Sequence, residues 1–316
     1  MKTNFFIAGM LILSCFFAVV ACRNSNDSDG INDSRQSTIY TLFISASQDY
    51  AVNSIGELPD PEFVILKEND QTMYSEISKI ADSPDRFFIL DTWGSRKLVS
   101  FDHFGTPITS YGRRGNGPGE YVLPTDFDID DTNVYLLDNP DKSLLVFSHD
   151  GTFIKQLEMP FFAAGVCKLD NGNFVFNVEV DAETGHQLCV TDSLLNPLVY
   201  MLPYPTDYVG GWVTSYPLRK TADGIAYYSS PADTIYHLDT TGNIIAKTAL
   251  RFENGSIDDS AKLDYIKAME QGLLNKGGMQ LLDNPVVLPD GRGYGEIDVA
   301  QNRHILFLML KATIAE

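Results

Sequence analysis

The sequence is poor in basic residues. It carries 23 Lys and Arg against 42 Asp and Glu, which gives a formal net charge of −19 at pH 7. Proteins that bind nucleic acid or bare anionic lipid surfaces need clustered Lys and Arg. The charge balance therefore argues against both classes of ligand and predicts an acidic surface that repels polyanions.

Long hydrophobic runs are also lacking. The longest apolar run at the N-terminus, residues 5–20, has 16 residues, fewer than the roughly 18–20 that a membrane-spanning helix requires. Lys2 is the only charge before it, and small Ala21 follows it. This arrangement is typical of a secretory signal peptide, which contributes nothing to the mature fold.

The signal ends in VVAC, residues 19–22. This ending resembles the lipobox of bacterial lipoproteins, in which the cysteine thiol is acylated and becomes the mature N-terminus. The resemblance implies a signal peptide over residues 1–21, a lipid on Cys22, and an outer-membrane lipoprotein on either the cell surface or the periplasmic face. Several acyl chains on one residue hold a protein stably on a bilayer. Residues 22–37 are then a flexible tether of disorder-prone composition.

Motifs for catalysis and phosphate binding are missing. The sequence has no G-x-S-x-G, H-E-x-x-H or C-x-x-C. The glycine-rich stretch YGRRGNGPGEY, residues 111–121, fits neither the dinucleotide fingerprint nor the Walker loop. Pro118 and the β-like run after it exclude the helix whose N-terminus would hold a phosphate. We therefore expect a corner between strands, in which glycines adopt positive φ.

An internal repeat of about 46 residues runs through the chain. Residues 74–112 align with residues 123–160: Asp91 and Asp138 are 47 positions apart, and Gly105 and Gly151 are 46 apart. Further steps of similar size reach two more units, and a fifth begins after residue 283. Each unit reads as four short strands with alternating apolar and polar residues, bounded by turn residues. This pattern predicts an all-β fold, a β-propeller of four-stranded antiparallel blades over residues 38–316.

One segment interrupts the β pattern. Residues 257–276 predict a helical insertion, with Ser256 and Asp259 resembling a capping box and Gly277 ending the helix. Of the four cysteines, Cys15 and Cys22 belong to the signal and the lipobox. Cys167 and Cys189 fall in the first and third strands of one unit, about 10 Å apart at ~4.8 Å per strand. That separation is too large for a disulfide, so we expect two buried free thiols.

The repeat carries a family resemblance. The segment from EFVILKEND (residues 62–70) through GRRGNGPGEY, DFDID, YLLD and FSHDGTFIKQLEM resembles the six-bladed β-propeller lipoproteins of Bacteroides-type bacteria, relatives of NHL-repeat and TolB-like propellers. The resemblance covers most of residues 39–310. Members of this family usually continue through a last blade, whereas here only residues 39–45 and 62–67 are left to complete a sixth. We therefore expect these two strands to pair with the last C-terminal strands, in a chain that is a C-terminally truncated relative.

Strand parity predicts a candidate ligand-binding surface. In a four-stranded blade, the corner between blades and the loop between the second and third strands emerge on the same face. Arginines and tryptophans on that face could bind an anionic or sugar ligand; alternatively, the arginines bind backbone carbonyls or blade-end carboxylates such as Asp91 and Asp138, and the tryptophans fill gaps between blades. We call this surface the corner face; its residues are Trp93, Arg96, Arg113, Arg114, Asn116, Glu120, Asp141, Lys142, Tyr208 and Trp212.

Two functions from different classes remain open. The first is a non-enzymatic binding module for a glycan, a peptide or a partner protein, with no cofactor beyond the lipid. The second is a propeller enzyme, a lyase or a lactonase-like hydrolase with a metal on the ring axis. Such a metal, Ca²⁺ or another divalent ion, could use Asp126, Asp128 and Asp130, which alternate along one strand. Hydrogen bonding at the blade ends is the alternative role for these aspartates.

Overall fold

The structure is a computed structural model that describes residues 38–44, 63–67, 69–180, 184–221, 223–252, 255–275, 279–281, 286–287, 292–299 and 302–309. Strands dominate these residues. In chain order they are β1 (Thr38–Ile44), β2 (Lys79–Ser83), β3 (Arg86–Asp91), β4 (Lys97–Asp102), β5 (Pro107–Ser110), β6 (Arg113–Arg114), β7 (Glu120–Tyr121), β8 (Pro124–Ile129), β9 (Asn133–Asp138), β10 (Ser143–Ser148), β11 (Phe153–Glu158), β12 (Ala163–Lys168), β13 (Phe174–Val178), β14 (His186–Thr191), β15 (Pro197–Pro203), β16 (Leu218–Thr221), β17 (Gly224–Tyr227), β18 (Thr234–Leu238) and β19 (Ile244–Phe252).

The last part of the chain adds two short helices and a further sheet. Its elements are α1 (Asp259–Leu263), α2 (Tyr265–Glu270), a 3-10 turn (Leu273–Asn275), β20 (Met279–Leu281), β21 (Val286–Val287), β22 (Arg292–Val299) and β23 (Asn302–Met309). In this sheet β22 pairs with each of the other three strands.

The repeat units fold into antiparallel blades. Strands β2–β5, β8–β11, β12–β15 and β16–β19 form the first, second, third and fourth blades, each in sequential order. The first two blades coincide with the aligned residues 74–112 and 123–160. The prediction of a propeller built from four-stranded antiparallel blades is confirmed.

Alternation along each strand supplies the two faces that a blade must bury. In β9, Leu136 packs toward the first blade in one apolar cluster that also contains Phe88. The next residue, Leu137, packs toward the third blade in a second cluster that contains Phe176. All four side chains are fully buried, and burying a side chain of this size contributes roughly 1.5–3 kcal/mol. A blade is therefore stable only between neighbours.

An aspartate at the same place in the first two blades fixes the chain that leads into the inner strand. Asp91 accepts N–H bonds from Ser75 (2.7 Å) and Glu76 (3.2 Å), which lie 16 and 15 positions before it. Asp138 accepts from Val122 (2.7 Å) and Leu123 (3.1 Å) at the same two spacings. Both carboxylates are fully buried. The repeated Asp thus has a structural role in both blades.

The N-terminal residues pair differently from the ring closure that the sequence predicted. Strand β1 pairs with β19 in parallel, from Thr38 opposite Ala246 to Ile44 opposite Phe252. Residues 63–67 run along the turn at Gly105, where the Lys67 amide donates to the Gly105 carbonyl (2.8 Å). The prediction that both segments pair with the last C-terminal strands is therefore wrong. Strand β19 is the outer strand of the fourth blade, and β1 pairs with the edge of β19 that would otherwise be exposed.

The helical insertion is shorter and more broken than the sequence suggests. Asp258 caps α1 by accepting from the Ser260 amide, whereas Ser256, the expected cap, donates its hydroxyl to Asp233 (2.6 Å). Asp264 separates α1 from α2 and caps the second helix itself. Gly277 lies outside the described residues. The capping preferences of the sequence therefore predicted where the helical segment lies but not the residue at which the helix starts.

The expectation for the two internal cysteines is confirmed. Cys167 lies on β12 and Cys189 on β14, the first and third strands of the third blade. Both are buried free thiols. Cys15 and Cys22 lie outside the described residues.

The carboxylate of Asp91 should contribute strongly to stability. Burial alone would raise the pKa of Asp91, but N–H donors from Ser75, Ser95 and Gly94 outweigh it and hold the pKa below the ordinary 3.8. Asp91→Asn should lower the free energy of unfolding by roughly 1.5–3 kcal/mol at pH 7, because an amide nitrogen cannot accept these bonds.

The pH dependence of the same variant follows from the lowered pKa. The stabilisation is present above the unfolded-state pKa and is lost as the pH falls through the lower folded-state pKa. Denaturant unfolding should therefore show the wild type and Asp91→Asn converging in acid, while Asp170→Asn, at an exposed position, behaves as wild type throughout. A constant difference down to the lowest measurable pH would contradict this account.

Candidate functional site

Buried aspartates hold the inner strands of the blades together around the axis. Asp126 on β8 accepts from the Val166 amide of β12 (2.9 Å) and from Lys79 Nζ of β2 (2.6 Å). Lys79 also donates to the Phe127 carbonyl (2.8 Å). Burial opposes the charged ammonium, but the Asp126 carboxylate outweighs burial and raises the pKa of Lys79. One carboxylate thus joins the inner strands of three blades.

Asp128 makes the corresponding connection on the other side. Its Oδ2 accepts from the Lys168 amide of β12 (2.6 Å) and pairs with Lys220 Nζ of β16 (2.7 Å). Lys220 also donates to the Ile129 carbonyl (3.0 Å). Through Asp126 and Asp128, strand β8 is linked to the inner strands of the first, third and fourth blades.

Asp130, the third of the alternating aspartates, organises a turn. It accepts from the amides of Thr132 (2.9 Å) and Asn133 (2.8 Å) and from the hydroxyl of Tyr135 (2.5 Å). Among the described residues, no group of three or more His, Cys, Asp and Glu is arranged to hold a metal ion. The contacts seen for the three aspartates are hydrogen bonds and ion pairs between elements.

These inner strands enclose a cleft on the ring axis, which we call the axial cleft. It has a volume of about 740 Å³. Residues from β2, β8, β12 and β16 line it, and it reaches the turns between first and second strands. The lining includes Lys79, Asp82, Asp85, Asp128, Asp130, Asp131, His149, Cys167, Tyr216, Arg219, Lys220 and Thr221. The size is that of a typical small-molecule site.

The axial cleft and the corner face lie at opposite ends of the blades. The cleft opens where β2, β8 and β16 end, at Ser83, Ile129 and Thr221. The corner face is formed where β3 and β9 end, and where β5 connects to the second blade. The candidate ligand-binding residues predicted from the sequence therefore lie at the end of the blades away from the axial cleft. The available signal was the presence of charged residues, such as Lys79 and Lys220, within inner strands.

The glycine-rich stretch is a corner, as predicted. Gly112 and Gly119 have φ of 66° and 75°, a conformation that other residues adopt only with strain. A Cβ on Gly112 would lie 2.6 Å from the Gly119 carbonyl oxygen. Two short parallel segments, β6 and β7, close the loop. The chain then enters β8 directly.

The corner arginines are on the surface. Arg113 pairs with Glu120 (Nε to Oε1, 2.6 Å), and its side chain is 82% exposed. It does not contact Asp91 or Asp138, whose carboxylates bind backbone amides. Arg114 is exposed. Arg113 therefore does not join blade ends through the buried carboxylates, which was one of the two roles considered for these arginines.

The two tryptophans have different environments. Trp93 is 71% exposed. Trp212 is half-buried against the helical insertion, where its ring meets Tyr265 edge-on at 4.8 Å and its Nε1 donates to the Ala261 carbonyl (3.2 Å). Of the two, Trp93 therefore presents more of its ring to solvent.

The remaining corner-face residues are spread over several loops. Asn116, Glu120 and Asp141 line one small hollow of about 60 Å³. Lys142 stacks on Phe162, with Nζ 4.0 Å from the ring centre. Tyr208 stacks on Tyr204 at 5.0 Å, and the Arg96 carbonyl accepts from the Tyr121 hydroxyl (3.1 Å). The corner face thus offers groups scattered over several loops, and the hollow among them is much smaller than the axial cleft.

Comparison with known proteins agrees with this geometry. Residues 33–279 match a protein family described as a 6-bladed beta-propeller. The chain belongs to this six-bladed β-propeller family. A comparison with curated proteins found no match.

Solved structures show the same fold. The chain is similar to a putative exported protein from Bacteroides fragilis, with a TM-score of 0.70 and 21% identity over 84% of this chain and 76% of that chain. It is also similar to a Bacteroides vulgatus protein, with a TM-score of 0.51 and 11% identity over 74% of this chain and 76% of that chain. At these identities the likeness concerns the fold. The propeller family therefore fixes the architecture and leaves the ligand to be argued from the site.

The corner arginines should contribute little to stability. Replacing Arg113 and Arg114 together by Ala should leave the melting temperature within about 2 °C of the wild type, because exposed ion pairs are weak. Differential scanning calorimetry measures this, with Arg86→Ala as the contrasting variant, since Arg86 donates to Asp85 and to the His149 carbonyl (2.8 Å). A large drop in the melting temperature of the double variant would show that Arg113 and Arg114 hold blades together.

Proposed function

We propose that this propeller is a non-enzymatic binding module that takes its ligand in the axial cleft. The observation that carries the proposal is the cleft itself: a cavity of about 740 Å³ whose walls are the inner strands of four blades. Ligand sites in proteins are concave, largely preformed and commonly 300–1,000 Å³ in volume. The ligand classes are a glycan, a peptide or a segment of a partner protein.

The rigidity of the cleft walls supports binding. The strands that line the cleft are joined through Asp126 and Asp128, each of which is more than nine-tenths buried. A site held in place before the ligand arrives loses little conformational entropy on binding. The thiol of Cys167, also on the wall, stays neutral because burial raises its pKa.

The proposal includes a lipid anchor. The N-terminal sequence through Cys22 and the tether of residues 22–37 support an outer-membrane lipoprotein, on the cell surface or the periplasmic face. The similarity to a putative exported protein agrees with secretion. Within the described ranges, no helix combines the length and the apolar composition needed to cross a bilayer.

Ligand binding in the cleft can be tested by filling the cleft. Thr221 lies on its wall at the end of β16, and Thr221→Trp should occupy part of the volume. Thermal-shift screening of the full chain with sugars, short peptides and organic acids should find a class that raises the melting temperature of the wild type, since a ligand at 100 times Kd contributes about 2.7 kcal/mol. The variant should lose that response.

The matched control is Thr152→Trp, at an exposed turn of the second blade, which should respond as the wild type does. A ligand that stabilises Thr221→Trp as strongly as the wild type would show that the axial cleft is not the binding site. No response from any class would contradict the proposed function.

Lipid anchoring through Cys22 has an independent test. Cys22→Ala should move the protein from the detergent-requiring membrane fraction to the aqueous fraction, because the acyl chains would have no attachment point. Cys15→Ala, within the signal, should leave the fractionation unchanged. Continued detergent dependence of Cys22→Ala would refute the anchor.

A further inference from the structure

Charged residues of both signs line the axial cleft. Strand β16 of the fourth blade brings Arg219 and Lys220, and β2 of the first blade brings Lys79. The turns of the first and second blades bring Asp85, Asp130 and Asp131.

Most of these charges are already compensated inside the protein. Lys220 pairs with Asp128 (2.7 Å) and Asp85 pairs with Arg86 (2.6 Å). The Asp130 carboxylate already accepts hydrogen bonds from the donors of its own turn. In addition Asp82, at the mouth, pairs with His103 (2.9 Å). Such groups shape the cleft but offer a ligand little net charge.

Arg219 is different. Its Nε is buried and has no hydrogen-bond partner, and its guanidinium makes no ion pair within the described part of the chain. A guanidinium carries five N–H donors in a planar fork and stays charged at any physiological pH. A buried donor without a partner is costly. The Nε donor of Arg219, a residue that lines the cleft, therefore lacks an acceptor among the described residues.

A carboxylate is the acceptor that fits best. Its two oxygens match the planar fork of the guanidinium in a bidentate contact. A phosphate dianion would match the fork too, but it would meet more repulsion from Asp128, Asp130 and Asp131, which line the same cleft. The surroundings thus favour the group that carries the smaller negative charge.

Asp131 supplies the complementary charge on the other wall. It is exposed at the mouth of the cleft, on the turn after β8, and it makes no ion pair among the residues that the structure describes. Its carboxylate can accept a charged hydrogen bond from an ammonium group. The two uncompensated charges, Arg219 and Asp131, come from the fourth and second blades.

We infer that the axial cleft binds a zwitterionic ligand, a short peptide with free termini. The peptide carboxylate lies against Arg219 and the peptide ammonium lies against Asp131. The intervening backbone occupies the cavity. This inference rests on the proposed function, and it names the ligand class for that same cleft.

The experiment uses the full chain in detergent and three pools of randomised tripeptides. One pool has free termini, one is N-acetylated and one is C-amidated. The probe concentration that gives half-maximal thermal stabilisation is measured for each. Either modification should raise that concentration tenfold or more, because each removes one charged contact.

Variants assign each terminus to its residue. Arg219→Gln should weaken binding of the free pool tenfold or more and should no longer distinguish amidated from free peptides. Asp131→Asn should likewise no longer distinguish acetylated from free peptides. Arg219→Lys, which keeps the charge but loses the fork, should bind with intermediate strength. Without ligand, Arg219→Gln should melt at or above the wild-type temperature, since the lost donor had no partner.

Matched controls are Arg114→Gln, an exposed arginine on the corner face, and Asp170→Asn, an exposed aspartate of the third blade; both should bind all pools as the wild type does. Equal binding of amidated and free peptides, or tighter binding of inorganic phosphate than of the free pool, would overturn the inference. If sugars or organic acids stabilise the wild type and lose that effect in Thr221→Trp while no peptide pool binds, the cleft remains a binding site and the zwitterion assignment falls.

Discussion

Two buried carboxylates on one strand hold this propeller together at its axis. Backbone pairing stops at the edge of each blade, so the inner strands of neighbouring blades share no ladder. Asp126 and Asp128 on β8 replace it by accepting backbone amides of Val166 and Lys168 on β12. Lys79 and Lys220 reach the same carboxylates from the first and fourth blades. Such charges persist in a buried position only when paired and hydrogen-bonded.

The same inner strands line the axial cleft. Strands that Asp126 and Asp128 join to β8 form the walls of a cavity of about 740 Å³. Among the described residues, the cavity walls combine paired charges with the Nε of Arg219, which has no hydrogen-bond partner. On the corner face, Arg113 is already paired with Glu120, and Trp212 packs against the helical insertion. These differences are the reason for proposing the axial cleft, and not the corner face, as the ligand site.

The repeat explains part of the architecture in physical terms. Asp91 and Asp138 each hold the segment that enters their blade, at the same spacing along the chain. The sequence shows these aspartates as a periodic feature, and their position at the end of an apolar strand predicts blade-end hydrogen bonding. The structure shows that the partners are backbone amides, which carry no side-chain signature. For this reason the Asp was predictable and its partner was not.

The sequence by itself determined the period, the four strands of each blade, the corner at residues 111–121 and the free thiols of Cys167 and Cys189. These follow from local alternation, turn chemistry and strand spacing. Only the tertiary structure decided that β1 adds to β19, that Asp258 caps the helix, and that Arg219 lines the axial cleft with an Nε that has no hydrogen-bond partner among the described residues. Each of these depends on which distant segments come together in space, and residues such as Lys79 and Asp126, 47 positions apart, meet only when the blades pack around one axis.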